Sequence, residues 1–251
     1  ALLGKVYLTF HKWNEAKDVL SQLIGKYSLL PSIGQVFDVN NKNNAEIIFA
    51  VHFNKEIVNE GHSYWYDITN LTDESGQAEA LVNCFTPGDT RKEMITYVKA
   101  ENKAYLMTKF LDTKNVSFNQ VGNDQILLRY ADVLLMYAEA LNELGYDASE
   151  GSIALKQLNA TRTRAGLTKL TAADVPTQES FRKAILDERQ KEFPYEGHRW
   201  FDLVRMGYAK SVLATQGLNI QDYQLLFPIP QTEIEKVGDS KILWQNPGYD
   251  K

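Results

Sequence analysis

The stretch ILLRYADVLLMYAEALNELG, residues 126–145, decides the fold class. Leu127, Ala131, Leu134, Ala138 and Leu141 recur at steps of three and four, with Leu128, Leu135 and Asn142 beside them. That spacing predicts one long helix over 126–144 with a single apolar ridge. Gly145 is placed to stop it, since glycine takes the backbone conformations that end helices without steric cost. Downstream, Asp147 or Ser149 can cap a second helix carrying Ile153, Leu155, Leu158 and Ala165 and stopping at Gly166. Residues 126–166 therefore read as a helical hairpin.

The same design recurs on either side. At the start of the chain, Leu3, Gly4 and Tyr7, then Ala16, Leu20 and Leu23, fall at the spacings of a tetratricopeptide helix pair. Gly4 and Ala16 let the two helices approach closely, the break falls at 11–13, and Leu30-Pro31 is expected to end the second helix. A third pair follows Pro176, with a helix over 178–193, a break at 194–197 and a second helix through Arg205. One such repeat cannot bury its own faces, so the pairs are expected to stack.

Between the pairs the pattern changes. EIIFAVHF, residues 46–53, is short, rich in β-branched and aromatic residues and flanked by Asn, which predicts a buried strand. Residues 103–112 read as strand or short helix, and the spacing does not choose. From 54 to 88 no period holds, yet Tyr64, Trp65 and Tyr66 stand in a row. Three consecutive rings cannot all enter one core, so this loop reads either as an aromatic platform for a flat ligand such as a sugar or as a ring-anchored surface loop. At the C-terminus, Phe227-Pro228-Ile229-Pro230 must be extended, and Trp244 with Tyr249 is expected to dock the tail by its rings.

Composition narrows the function. The formal net charge is −5 and Lys and Arg form no block, so the chain lacks the basic footprint of a nucleic-acid binder. One cysteine, Cys84, excludes an internal disulfide framework and a multi-cysteine metal site. The longest apolar-rich run, 131–144, is interrupted by Asp132 and Glu139 and is shorter than the about 20 residues of a membrane span. The opening, ALLGKVYLTF, already runs at helical spacing, so the chain reads as part of a longer one.

The chemistry-bearing candidate is QESFRKAILDERQKEFPYEGHRWFDLVR, residues 178–205. Glu188 and Glu192 are four apart, as are His198 and Asp202, the spacing by which helices present acid/base or metal-ligating pairs. Arg189, Arg199 and Arg205 stand among them, however, and nearby guanidinium groups lower carboxylate pKa values and occupy their lone pairs. The expectation is a structural ion-pair network that clamps two helices around Trp200 and Phe201, with no catalytic or metal site.

Four of these stretches occur together in one order: 126–145, LNATRTRAGL at 158–167, ILDERQKEFPYEGHRWFDLVR at 185–205, and LFPIPQTEI with LWQNPGY between 226 and 249. In that order they resemble the C-terminal half of the SusD/RagB family of nutrient-binding outer-membrane lipoproteins. EIIFAV at 46–51, PGDTR at 87–91 and the opening helix pair resemble further parts of that family. The resemblance implies a mostly α fold of tetratricopeptide-like hairpins with a loop-rich part and few short strands. Across 1–251 it implies one incomplete SusD-like domain: a helix pair at 1–30, an irregular part at 45–125, hairpins at 126–205 and an irregular tail at 206–251. It also implies a non-enzymatic protein, without cofactor or metal, that is lipid-anchored on the outer face of the outer membrane. There it binds oligosaccharide or polysaccharide beside a SusC-like TonB-dependent transporter. A protein-interaction scaffold, or binding of a non-glycan nutrient, is the alternative. No residue-level binding motif transfers, and Tyr64, Trp65 and Tyr66 are the substrate-binding candidates.

Overall fold

The computed structural model describes residues 1–58, 60–62, 71–72, 77–99, 104–110, 112 and 121–249. They form two compact units, Ala1–Glu196 and Gly197–Lys251, with the boundary inside the charged stretch.

The first unit begins with α1 (Leu2–Thr9) and α2 (Trp13–Ser21). The expected close approach is present: a Cβ on Gly4 would lie 2.6 Å from Leu20 Cδ2, so any larger residue there would force the buried Leu20 side chain to shift. Ala16 and Leu20 are fully buried. α2 ends at Ser21, well before Leu30-Pro31. The chain turns through Gly25 at φ +80°, and the Gly25 amide donates to the Tyr130 hydroxyl at 3.0 Å, a tertiary bond no local pattern carries.

After the short helix α3 (Ile33–Val36) comes β1 (Ile47–Val51). β2 (Leu71–Thr72), α4 (Gln77–Asn83), a 3₁₀ turn at Thr90–Met94, β3 (Ile95–Lys99), β4 (Ala104–Met107) and a second 3₁₀ turn at Thr108–Phe110 follow. The ambiguous 103–112 run thus holds both a strand and a helical turn. β2, β4 and β3 form an antiparallel sheet in that order.

Two expectations are corrected at the second sheet. Residues 126–129 are not the first turn of a helix but most of β5 (Gln125–Arg129), paired antiparallel with β1 through Ile47↔Arg129 and Val51↔Gln125. Partners nearly 80 residues away supply the ladder, and a leucine-rich run fits either period. β1 in turn is not a buried strand, because a two-stranded sheet leaves one face uncovered: Phe49, Val51 and Leu127 are exposed.

Helix α5 (Tyr130–Leu144) is the axis of the unit. Ala131, Leu135 and Ala138 pack against α6 (Ile153–Arg164) and α7 (Gln178–Glu192), through Leu155, Leu158, Phe181 and Ile185. Val133, Leu134, Met136 and Ala140 pack against α1 and α2 through Leu8, Ala16 and Leu20. A helix buried on both sides reads as apolar nearly all round, which is why its sequence signal is strong. α6 is capped by Ser152, whose hydroxyl accepts from the Leu155 amide, rather than by Asp147 or Ser149. Thr177 caps α7 in a capping box with Ser180.

The second unit holds α8 (Arg199–Arg205), α9 (Ala209–Thr215), a 3₁₀ turn at Asp222–Leu225 and α10 (Gln231–Val237). Its extended Phe227–Pro230 segment is fastened by polar groups: Gln245 exchanges two hydrogen bonds with Ile229, and Asn246 donates to the Phe227 carbonyl. Tyr249 stacks edge-on against Tyr223 at 5.0 Å, and Gly248 leaves room for that ring. Trp244 is exposed, so the expected docking by that ring is replaced by Gln245, Asn246 and Tyr249. No helix among the described residues is long and apolar enough to cross a membrane.

Candidate functional site

The charged residues of α7 lie at the centre of the first unit, and their partners come from far along the chain. Glu192 is fully buried; its Oε1 accepts from Arg129 Nη1 at 2.6 Å and from Arg164 Nη2, and its Oε2 from Arg91 Nη1 at 3.1 Å. Glu188 accepts from Arg91 Nη1 at 2.7 Å. Arg91 also forms a two-pronged pair with Asp89, Nε to Oδ1 at 2.9 Å and Nη2 to Oδ2 at 2.8 Å. The PGDTR turn exists in this form because Asp89 accepts from the Arg91 amide and guanidinium together.

Arg129, the last residue of β5, donates through all three nitrogens. Nε and Nη2 hold Glu196, Nη1 holds Glu46 and Glu192, and Nη2 also reaches the Glu192 carbonyl at 2.8 Å. Its guanidinium lies 4.5 Å from the Phe193 ring centre, a cation–π contact between buried groups. Arg164, closing α6, clasps Glu46 with Nη1 at 3.1 and 2.9 Å. Glu196 is presented by a sharp turn in which Tyr195, at φ +60°, takes the left-handed region that costs a non-glycine residue about 1–2 kcal/mol. Lys109 Nζ donates to Glu196 and to the Pro194 carbonyl, over the face of Phe37. Beside this network, Arg189 pairs with Asp132 of α5 at 2.8 Å.

The electrostatics follow from this geometry. Burial alone raises the Glu192 carboxyl, but Arg164, Arg129 and Arg91 outweigh it and hold it well below the usual carboxylate range. The same carboxylates hold Arg91, Arg129 and Arg164 above the usual arginine range despite burial. Burial pushes the Lys109 ammonium down to about 8; Glu196 opposes that fall and Arg129 adds to it. A general acid needs a raised carboxyl and an approach for substrate. Glu192 has a depressed carboxyl and no exposed surface.

The remaining candidates lie in the second unit. Asp202 is held by Arg205 three residues later, Nη2 to Oδ1 at 2.7 Å, and His198 stands just before that helix as its N-cap residue. Trp200 leans on Phe227 at 5.9 Å, whereas Phe201 is 61% exposed and clamps nothing. Within the first unit, the α7 acids Glu188 and Glu192 are met by Arg91, Arg129 and Arg164, while Arg189 of the same helix pairs with Asp132. Among the described residues no group of His, Cys, Asp and Glu is arranged to hold a metal. Tyr64, Trp65 and Tyr66 lie outside the described residues.

Sequence reasoning missed Arg91, Arg129, Arg164 and Glu46 as one cluster. The only signal was that each sits in a stretch singled out for other reasons: PGDTR, LLRY, RTRAG and EIIF.

Comparison with known proteins places these stretches. The model of the SusD family matches residues 92–249. SusD-like protein P2 of Formosa agariphila is 27% identical over 302 aligned residues, which cover 99% of this chain and 58% of that protein. The starch-binding protein SusD of Bacteroides thetaiotaomicron is 31% identical over 147 residues, 55% of this chain and 24% of the relative. Among solved structures, a laminarin-binding SusD-like protein is 27% identical with a TM-score of 0.72, covering 99% of this chain and 61% of that one. The chain thus spans a little over half the length of the first of these relatives. With the family model matched along most of its length and the same helical scaffold, the chain belongs to the SusD family.

Proposed function

We propose that this chain is part of a cell-surface protein that binds oligosaccharide and delivers it to a TonB-dependent outer-membrane transporter, without chemical change. The observation that carries this reading is family membership together with a polar centre whose carboxylates are consumed by guanidinium groups. Relatives named for binding starch and laminarin point to glycan as the ligand class. Tyr64, Trp65 and Tyr66 are the proposed stacking platform, and a lipid anchor on the full-length protein holds it at the outer membrane.

Calorimetry of the full-length protein with oligosaccharides from starch and laminarin tests the reading. At least one neutral glycan is expected to bind with its length unchanged after incubation. Trp65→Ala is expected to weaken that binding by about two- to tenfold, since an aromatic stack contributes about 0.5–1.5 kcal/mol. Release of shortened sugar, lost in Glu192→Gln, would overturn the non-catalytic reading. Binding of peptides in place of any glycan would overturn the ligand class.

A further inference from the structure

Residues 29–31, helix α6 and residues 169–171 enclose an open cleft of about 750 Å³, within the roughly 300–1,000 Å³ of small-molecule sites. Both walls are fixed to the core. The Leu30 amide donates to Glu46 Oε2 at 3.0 Å, and Asn159 exchanges two 2.8 Å hydrogen bonds with the backbone of Leu170. The cleft is therefore formed in advance, and a ligand has little loop-ordering cost to meet there.

Its lining does not suit the sugar-stacking mode proposed for Trp65. Among the described residues that line it there is no aromatic ring; Leu29, Leu155 and Leu170 supply an aliphatic wall. In a chain of net charge −5, the lining carries three cations, Lys156, Arg164 and Lys169, against one carboxylate, Glu150. Glu150 spends an oxygen on the Ala172 amide at 2.8 Å. Lys156 and Lys169 are exposed and pair with no carboxylate among the described residues. Arg164, with its side chain 4% exposed, commits both terminal nitrogens to Glu46 and Glu192, while its buried Nε–H has no acceptor. Two lysines that pair with no carboxylate, beside a preformed cleft, attract an anion.

We propose that this cleft is a second saccharide subsite, separate from the aromatic platform, that takes an anionic sugar unit, carboxylated or sulfated, between Lys156 and Lys169. The proposal rests on the glycan-binding reading above and adds a charge preference to it.

The test is calorimetry of the full-length protein with oligogalacturonate, its methyl ester, a sulfated galactan oligosaccharide and a neutral laminarin oligosaccharide. Wild type is compared with the Lys156→Gln/Lys169→Gln double variant, whose changes fall on exposed side chains. One or both anionic sugars are expected to bind, with the ester at least tenfold weaker than its acid. The double variant is expected to lose that same factor while its affinity for the neutral oligosaccharide is unchanged. Acid and ester binding alike, or a double variant that keeps its affinity for the anion, would overturn the subsite. So would polyglutamate displacing the anionic sugar at equal affinity, which would mark the cleft as a peptide surface. Wild type that binds the neutral oligosaccharide alone defeats this subsite only; wild type that binds no glycan defeats the parent reading too.

Discussion

The carboxylates of α7 and those of α8 lie within one short run of sequence, and their surroundings differ in kind. Glu192 on α7 is held by Arg129, 63 residues earlier, and by Arg91, 101 residues earlier. Asp202 on α8 is held by Arg205, three residues later on the same helix. The first arrangement ties the β1–β5 sheet, the 89–91 turn, α6 and α7 to one point, so no member can leave without stranding charge in the core. The second includes a bond that spans one turn of one helix. Composition is similar in the two halves, so what marks the α7 keystone is the sequence distance over which its charges are partnered.

This contrast can be broken from its strong end first. Arg129→Met should be the most damaging single change, because it leaves Glu46, Glu192 and Glu196 each short of a donor. Breaking one buried pair costs about 3–5 kcal/mol, and at roughly 2–4 °C per kcal/mol for a chain of this size, calorimetric melting should fall by about 10 °C or more.

Lys109 gives a smaller, pH-dependent effect. Its folded pKa of about 8 lies below the 10.5 of the free side chain, so below pH 8 it is charged in both states and the folded state carries the desolvation cost. Between pH 8 and 10.5 the unfolded chain binds more protons, so this group's contribution to stability rises with pH, by about 3 kcal/mol at most. Melting curves of wild type and Lys109→Met across that window should show wild type gaining on the variant; a constant difference would contradict the shift.

At the weaker end, Arg205→Ala should cost about 1–3 kcal/mol, less than Arg129→Met because one carboxylate rather than three loses a donor, though the pair is mostly buried. Phe201→Ser, on an exposed ring, should stay within about ±0.5 kcal/mol. Urea unfolding of the second unit measures both, and a Phe201→Ser loss comparable to that of Arg129→Met would erase the distinction.

The helical hairpins were legible because their signals are local. Gly4 and Ala16 announce close helix approach, the ridge on 126–144 announces a buried helix, and Pro194 with Gly197 announces a break. β5 was misread as helix because its partner strand lies some 80 residues away while its leucines satisfy the helical spacing. The network was misread in detail for the same reason. Arg189 is adjacent to Glu188 in sequence, but its guanidinium reaches Asp132 on α5, and the acids of α7 are met by arginines from three other elements. Phe201 and Trp244 were expected inside because large rings usually are, yet both are exposed. The residues that would recognise a glycan carry no fixed spacing, so local pattern alone could name only a ring-rich loop.

The most direct test of whether the α7 carboxylates hold the fold or perform chemistry is Glu192→Gln, followed by thermal unfolding and by glycan calorimetry on the same sample. Removing the charge leaves three guanidinium groups facing one another in the core, so melting should fall by about 6–12 °C for a loss of about 3 kcal/mol. Glycan affinity of the folded fraction should match wild type. An unchanged melting temperature together with abolished glycan binding or turnover would contradict the structural role.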